Sequence, residues 1–152
     1  MATQRLHFDL DALKQFQEAE YSRNLVLKTA QMEIILTCWK PGHETPLHDH
    51  GISEGVALVI EGELFCQEVF PDGFTQQSQI TTGEVIFTPK GVSHLLRNNS
   101  SQNAVTLNIY TPPLDANAKF LDLPYHNMIE IDPSFGQVLL DSSILQTLFH
   151  RA

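Results

Sequence analysis

Seven histidines stand among the 152 residues, and two of them, His48 and His50, are separated by a single residue. In an extended segment, residues i and i+2 point to the same face, so these two imidazoles can bind one ion together. Neutral imidazole binds Zn, Cu, Fe and Ni, which makes a transition-metal site the first chemistry to consider. The alternative is a pair of loop histidines that alternate with Asp49 and bind nothing.

A regular spacing of glycines, a proline and a third histidine surrounds this pair. The spaced residues form two blocks, Gly42-x5-His48-x-His50-x11-Gly62 and Gly83-x5-Pro89-x-Gly91-x2-His94-x3-Asn98. These blocks resemble the paired motifs of the cupin superfamily, and the second matches at every defined position. The resemblance implies a mostly β fold, a small antiparallel barrel (double-stranded β-helix or jelly roll), with a metal held by His48, His50 and His94.

The first block departs from the general cupin pattern at one ligand position. Many cupins carry a metal-binding glutamate separated by six residues from the closing glycine, where this chain has Gly55. Glu54 is adjacent, but a shift of one residue along a strand turns a side chain to the other face. We therefore expect Glu54 to lie away from the metal, while an irregular loop would bring it inward, so both arrangements stay open.

Further segments point, within the cupins, to the thiol dioxygenases, which lack that glutamate. These segments are Tyr21-Ser22-Arg23-Asn24-Leu25-Val26, Cys38-Trp39 and Ile109-Tyr110-Thr111-Pro112-Pro113. Together with the three histidines they resemble cysteine dioxygenase, from about Tyr21 to Leu121. The resemblance implies an Fe(II) enzyme that oxidises a small thiol, L-cysteine first, with O₂ to the sulfinate. Three histidines also accept Ni or Zn, so the ligands alone do not name the metal.

Three further side chains are expected to act on the substrate. Arg23 offers a planar guanidinium for bidentate binding of a carboxylate, and Tyr21 is a supporting candidate. Tyr110 shares the polar face of its strand with Thr106 and Asn108, the face suited to line a wet cavity. The resemblance implies that Tyr110 is the catalytic residue that hydrogen-bonds substrate or oxygen. From position alone, Arg23 also suits a helix C-terminus and Tyr110 a half-exposed strand site.

Two positions depart from that family. In the animal cysteine dioxygenases the position of Gly55 is a cysteine crosslinked to the tyrosine that matches Tyr110, so this chain resembles the bacterial enzymes without the crosslink. The residue two before that tyrosine is usually a histidine, and here it is Asn108. We expect Asn108 to contact the substrate, but an amide carries no proton near neutral pH. Rate, substrate choice or both should therefore differ from the family.

The elements that position these residues are expected to be mostly strands. The spacing of Phe8, Leu10, Leu13 and Phe16 predicts a helix over about 8–21. Apolar runs bounded by Gly and Pro turns predict strands at 33–39, 56–60, 64–70, 84–88, 92–97 and 104–111. Weaker patterns suggest a strand at 127–131 and a helix at 141–149. Residues 1–152 are expected to form one domain with its barrel over about 25–132, and 122–152 have no assigned role.

Composition excludes several classes of function. Eighteen acidic against nine basic residues give a formal charge of −9, which argues against a nucleic-acid partner. Hydrophobic residues make up 42% and charged residues 18%, as expected of a compact globule. Without an apolar run of about 20 residues or a signal peptide, we expect a cytoplasmic protein with free thiols and no membrane partner. Edge strands leave monomer and homodimer both open.

Four functions compete at this point. The first is oxidation of L-cysteine, and the second is oxidation of another thiol such as 3-mercaptopropionate, whose enzymes commonly carry Gln at the Arg23 position. The third is another cupin enzyme, a metal-dependent hydrolase or isomerase, and the fourth a non-catalytic cupin that binds a metal or small ligand. Arg23 and Tyr110 discriminate, because only a thiol dioxygenase needs both beside the metal. The other histidines are expected to be surface or satisfied core residues, namely His7, His43, His126 and His150, and the two cysteines, Cys38 and Cys66, are expected to pack in the core.

Overall fold

The computed structural model describes residues 10–114 and a short strand at 127–128. The elements are α1 (Leu10–Leu13), β1 (Ser22–Lys28), β2 (Glu33–Trp39), β3 (Glu54–Glu61), β4 (Glu63–Val69), β5 (Thr75–Thr81), β6 (Val85–Thr88), β7 (Ser93–Arg97), β8 (Ala104–Thr111) and β9 (Asn127–Met128). A six-stranded sheet has the order β6-β3-β8-β2-β1-β9, and a three-stranded sheet the order β5-β4-β7. The pairings between these strands are antiparallel except that of β1 with β9. The expectation of a mostly β, antiparallel fold is confirmed.

Strands β2 and β8 separate one core cluster from the candidate site. Their bounds agree with the predicted strands, because both are apolar runs with clear turn signals on either side. Ile34, Leu36 and Cys38 of β2 pack in a core cluster with Leu13 of α1. The alternate residues Ile35, Thr37 and Trp39 point to the other side, where they line a cavity.

The N-terminal helix is shorter than predicted: instead of 8–21 it comprises Leu10–Leu13. Backbone carbonyls beyond it are engaged by the barrel, since the Ser22 hydroxyl donates to the Gln15 carbonyl and the His43 ring contacts the Glu18 carbonyl at 3.1 Å. Residues 14–21 therefore form an irregular segment across the barrel, which we call the strap. Helical spacing alone does not reveal that tertiary groups compete for these carbonyls.

Two strands differ from the sequence expectations. Strand β1 starts at Ser22, three residues before the expected barrel start at about residue 25, and its first polar residues are buried. The strand β5 was not predicted, since Thr75–Thr81 is a polar, mostly exposed edge strand without apolar alternation. The final strand is described only at Asn127–Met128. The predicted helix at 141–149 and the rest of 122–152 lie outside the described residues.

Within the described residues, no helix has the length and apolar character needed to cross a membrane. The two cysteines, Cys38 and Cys66, are free and buried. Burial raises the pKa of Cys38 to about 11 and that of Cys66 to about 12. Both thiols therefore stay protonated at neutral pH and pack as small apolar side chains, as expected from the sequence.

Candidate metal centre

The three histidines of the two motifs meet at one point of the barrel. His48 and His50 lie in the loop between β2 and β3, and His94 lies on β7 of the smaller sheet. Backbone hydrogen bonds hold the loop to the strand, from the His48 amide to the His94 carbonyl (3.0 Å) and from the His94 amide to the His48 carbonyl (2.8 Å). The possible ligand nitrogens of the three rings all lie within 4.8 Å of one another. The loop and a strand of the other sheet thus build one cluster.

The geometry of this cluster fits a metal ion. The Nε2 atoms of His50 and His94 are 3.1 Å apart, and two ligands at about 2.1 Å from one ion and at a right angle would be about 3 Å apart. The Nδ1 of His48 is 2.8 Å from the Pro46 carbonyl. Because a carbonyl only accepts, this Nδ1 carries the proton, and the unprotonated Nε2 of His48 is the atom that can bind the ion.

The outer nitrogens of the other two rings differ in their surroundings. The Nδ1 of His94 lies 3.3 Å from the Thr88 hydroxyl oxygen, a contact that orients the ring for binding through Nε2. The Nδ1 of His50 is buried and has no hydrogen-bond partner in the part of the chain that the structure describes. Two of the three rings are therefore held by hydrogen bonds, and the third is held by packing.

Burial keeps all three rings neutral. It lowers the pKa of His48, lowers that of His50 to about 4, and lowers that of His94 well below its ordinary value. The neighbouring imidazoles push the pKa values of His50 and His94 in the same direction. At neutral pH the cluster thus offers three unprotonated nitrogens to a cation, and no proton has to leave before binding.

Gly55 occupies the strand position that faces this cluster. It pairs with Tyr110 across the β3–β8 ladder, and a Cβ atom there would lie 3.0 Å from the His50 Nδ1 and 3.1 Å from the Tyr110 ring. Glu54, its neighbour on the strand, therefore points to the opposite face and is not part of the described metal cluster. This agrees with the expectation that Glu54 lies away from the metal. Gly55 brings no sulfur to Tyr110, so no crosslink can form.

A small cavity of about 30 Å³ adjoins the histidines. It is lined by Tyr21, Arg23, Ile35, Thr37, Trp39, Thr45, His48, His94, Leu96, Asn108, Tyr110 and Leu114. All four residues expected to contact a substrate are among them. His50 adjoins the cavity through Tyr110, whose ring packs edge-on against it with 5.0 Å between the centroids. Motif spacing did not identify Thr37, but its alternation with Trp39 on β2 places both on one face.

Arg23 lies on β1 and not at a helix C-terminus, and its side chain is buried. Its guanidinium is 3.6 Å from the carboxylate of Glu33, which is fully buried and lies 3.6 Å from the Lys28 ammonium as well. Sequence reasoning missed Glu33, although a glutamate at the start of an otherwise apolar strand signals a buried charge that needs partners. The Arg23 guanidinium is thus positioned in the cavity wall by an internal ion pair.

Tyr110 remains a phenol in this environment. Burial raises the pKa of its hydroxyl well above the ordinary value, and the nearby Arg23 charge only partly opposes that rise. Burial likewise raises the pKa of Tyr21, whose ring stacks on Trp39 at 4.7 Å between centroids. Both residues therefore present protonated hydroxyls to the cavity at neutral pH.

Asn108 is anchored away from Tyr110. Its amide nitrogen donates to the Thr37 hydroxyl (2.9 Å), the Thr106 hydroxyl (3.1 Å) and the Ile35 carbonyl (3.2 Å). No hydrogen bond joins Asn108 to Tyr110 in the described structure. Asn108 therefore does not orient the tyrosine as the histidine of the resembled family does.

Of the other four histidines, only His43 lies among the described residues, and it is not part of the cluster. His43 is buried, and its Nδ1 accepts from the Lys40 amide (3.0 Å) while Nε2 donates to the Glu18 carbonyl (3.1 Å). It is a hydrogen-bonded structural residue, as expected. His7, His126 and His150 lie outside the described residues.

Known proteins are similar in sequence to much of this chain. Cysteine dioxygenase type 1 of Danio rerio is 26% identical over 129 residues, covering 76% of this chain and 64% of that protein. The Rattus norvegicus protein of the same name is 28% identical over 111 residues, covering 66% and 55%. Nectarin-1 of Nicotiana plumbaginifolia is 28% identical over 88 residues, covering 58% and 38%. The chain spans less than two thirds of the length of these curated relatives.

Solved structures share the fold. A protein from Thermus thermophilus superposes with a TM-score of 0.63 at 24% identity, covering 70% of this chain and 96% of that one. A protein with a double-stranded β-helix domain from Klebsiella pneumoniae gives 0.60 at 20% identity, covering 72% and 91%. At these identities the likeness shows the fold alone, and it confirms the double-stranded β-helix of the cupins.

The sequence model of one family spans the strap, strands β1 to β8 and the histidine cluster together. It describes cysteine dioxygenase type I and matches residues 8–122, well over half of the chain. With the cupin fold and the three-histidine cluster in place, this match makes the chain a member of the cysteine dioxygenase type I family.

Proposed function

We propose that this chain is an iron-dependent thiol dioxygenase whose substrate is L-cysteine. The observation that supports this most directly is that Arg23 and Tyr110 line one cavity with His48 and His94. A thiol dioxygenase needs a cation for the substrate carboxylate and a hydroxyl donor beside its metal. A hydrolase, an isomerase or a non-catalytic cupin needs neither residue at that place.

The proposed reaction adds both atoms of O₂ to the substrate sulfur. The thiol becomes a sulfinate, the sulfur loses four electrons that the two oxygen atoms gain, and the S–H proton is released. Iron(II), bound by His48, His50 and His94, would supply a centre that favours the thiolate and passes electrons between sulfur and O₂. Neutral imidazoles suit this task because they leave the ion its full positive charge.

The residues of the chain would orient the substrate around that centre. Arg23 would bind the substrate carboxylate through two parallel hydrogen bonds. The ion pair with Glu33 would keep the guanidinium in position. Tyr110, kept protonated by burial, would donate a hydrogen bond to substrate or oxygen, and Tyr21 would support the carboxylate. The small cavity would limit the substrate to a short molecule.

A thiol panel tests this function. The protein is reconstituted with iron(II), bound iron is measured, and L-cysteine, 3-mercaptopropionate and cysteamine are supplied separately with ¹⁸O₂. We expect L-cysteine to gain two labelled oxygen atoms and Arg23→Ala to lower kcat/KM for it at least about 100-fold, since a charged hydrogen-bonded pair is lost. An iron-loaded protein that oxygenates no thiol contradicts the proposal. Full activity of Arg23→Ala contradicts the assigned carboxylate role.

A second candidate is oxidation of another small thiol such as 3-mercaptopropionate, or metal binding without catalysis. It is favoured by one observation, that Asn108 replaces the family histidine and makes no hydrogen bond to Tyr110 in the described structure. The same thiol panel decides between this candidate and L-cysteine oxidation.

We also propose that the protein has a single domain and acts in the cytoplasm as a monomer or homodimer. Its two buried free thiols suit a reducing compartment.

A further inference from the structure

Glu68 lies on the inner face of the smaller sheet. Leu64 and Cys66 of the same strand, β4, are buried between the two sheets, and residues two apart on a strand share a face. Glu68 is the next residue of that row and is half-buried. Burial is the main cause of the raised pKa of the Cys66 thiol, and the charge of Glu68 adds to it. The Glu68 carboxylate therefore acts on the space between the sheets.

Strand register places Glu68 in one row with two histidines of the cluster. Glu68 is the partner of His94 in the β4–β7 ladder, and His94 is the bridge partner of His48. Residues directly opposite each other in an antiparallel pair have Cβ atoms about 5 Å apart on the same face. The Glu68 carboxylate is nevertheless not among the ligand atoms grouped within 4.8 Å in the described structure. Glu68 is thus the cross-strand neighbour of a metal-binding residue and not itself a ligand.

The Glu68 carboxylate has no cationic partner in the described part of the chain. The carboxylate of Glu44 pairs with Arg97 at 2.6 Å, whereas no hydrogen bond or ion pair engages Glu68 there. Burial of an unpaired carboxylate costs free energy, which a nearby cation recovers. The imidazoles beside Glu68 are neutral and bring no such charge. A cation bound by the histidines would supply it.

We propose that Glu68 strengthens the binding of a divalent transition-metal ion by the three histidines, through its negative charge and without coordinating the ion. A carboxylate and a dication attract each other over several ångströms where protein partly replaces water. Glu68 does not line the cavity, so its charge acts on the ion and not through a contact with the substrate there. The inference concerns metal binding and holds whichever reaction the chain catalyses.

A charge series at position 68 tests this role. Chelator competition measures the affinity of the metal-free, full-length chain for Co²⁺ and for Ni²⁺. Glu68→Gln keeps the shape and removes the charge, so it should lower both affinities about 3- to 30-fold. Glu68→Lys should lower them further, and Glu68→Asp should retain most of the affinity. The loss in Glu68→Gln should shrink at higher ionic strength, because salt screens a half-buried charge.

Glu63→Gln is the matched control. Glu63 lies on the same strand, β4, but its odd position turns the side chain to the opposite face from Glu68. The substitution makes the same change in net charge without touching the inner row. It should therefore leave the affinities for both ions unchanged. An equal loss in Glu63→Gln would show a general charge effect and contradict the role assigned to Glu68.

The stability of the metal-free protein separates a charge effect from a packing effect. Glu68→Gln removes an unpaired, half-buried charge, so the free energy of unfolding in urea should not fall. The rise in melting temperature at a fixed concentration of Co²⁺ should nevertheless be smaller than in the unaltered protein. A side chain that only packs would instead lower the stability of the metal-free protein.

The outcomes also separate this inference from the proposed function. Unchanged affinity in Glu68→Gln contradicts the inference, as does a Glu68→Lys variant that binds as tightly as Glu68→Gln. If Glu68→Asp loses as much affinity as Glu68→Gln and both destabilise the metal-free protein, Glu68 is structural and the inference fails. If Glu68→Gln does not fold, Glu68→Thr, which suits a strand, replaces it, and unchanged affinity there overturns the inference. A protein that shows the charge series but oxygenates no thiol contradicts only the proposed function.

Discussion

The His50 ring is positioned by packing and not by a hydrogen bond to its outer nitrogen. His48 and His94 each have an oxygen beside the outer ring nitrogen, whereas the buried Nδ1 of His50 has no partner among the described residues. Its ring instead packs against Tyr110 and against the bare backbone of Gly55. The absence of a side chain at position 55 thus leaves room for the His50 ring. Any side chain there would press on the rings of both His50 and Tyr110.

A methyl group at position 55 tests this view. Gly55→Ala would place its Cβ 3.0 Å from His50 and 3.1 Å from Tyr110, so both rings must shift. We expect metal affinity to fall about tenfold and stability by about 1–3 kcal/mol, measured by chelator competition and urea unfolding. Gly73→Ala is the matched control. Its backbone is strained by a φ of 86° in open space, so it should lose stability and keep its metal affinity.

At the scale of elements, the strap is attached to the barrel mainly through side chains of other segments. His43 joins two backbone groups, the Lys40 amide and the Glu18 carbonyl, from a buried position. At the end of the strap, Tyr21 stacks on Trp39 and lines the cavity. The strap therefore forms part of the cavity wall, and its attachment bears on substrate binding more than on metal binding.

Removing the His43 hydrogen bonds should weaken substrate binding without weakening metal binding. His43→Ala removes the hydrogen bonds to the part-buried Lys40 amide and the Glu18 carbonyl, which should lower the free energy of unfolding by about 0.5–1.5 kcal/mol. Metal affinity should stay unchanged, because His43 is not part of the cluster, while KM for the thiol should rise. Urea unfolding, chelator competition and steady-state kinetics provide the three readouts. If His43→Ala lost as much metal affinity as Gly55→Ala, the strap would bear on metal binding too, and this prediction would be wrong.

At the scale of the whole molecule, the histidine cluster joins the two sheets. His94 belongs to the smaller sheet, and His48 and His50 precede the first residues of β3 in the larger one. The second core cluster lies between the same sheets and contains Trp39 and Ala104 on one side and Leu64, Cys66 and Leu96 on the other. A bound metal would add a link beside this apolar core, so metal and proton should affect global stability in opposite directions.

The metal-free protein should lose stability as the pH falls. Burial lowers the pKa of folded His50 to about 4, whereas an unfolded histidine titrates near 6.5. Between these values the unfolded chain binds more protons, so stability is present above about pH 6.5 and is lost as the pH falls towards 4. His50 alone should account for about 2 kcal/mol between pH 7 and pH 5. Urea unfolding at both values checks this, and His50→Gln should show a smaller difference.

Saturating metal supplies the complementary measurement. An ion that binds only the folded protein raises the melting temperature at pH 7, by an amount set by its concentration over Kd. His94→Gln should abolish most of that rise. If the metal raises the melting temperature of His94→Gln as much as that of the unaltered protein, the ion binds elsewhere.

The three-histidine cluster and the fold class were predictable because their signals are local. The i, i+2 spacing of His48 and His50 and the glycines and proline around His94 belong to short segments whose backbone geometry requires those residue types. The bounds of β2 and β8 follow equally from apolar runs between turn signals. For these features no distant part of the chain competes with the local preference.

Other features depend on contacts between distant segments. The strap reads as a helix until Ser22 and His43 engage its carbonyls, and β5 has no apolar pattern, so that pairing with β4 makes it a strand. The Glu33 ion pair and the Thr37 anchor of Asn108 join residues whose partners are set by strand register. The sequence by itself determined that His48 and His50 can bind one ion and that the fold is mostly β, because periodicity and turn chemistry act over a few residues, and the resemblance of its motifs added His94 and the barrel. Only the tertiary structure decided where Arg23, Tyr110 and Asn108 direct their polar atoms, because burial and hydrogen bonding depend on what the fold places beside them.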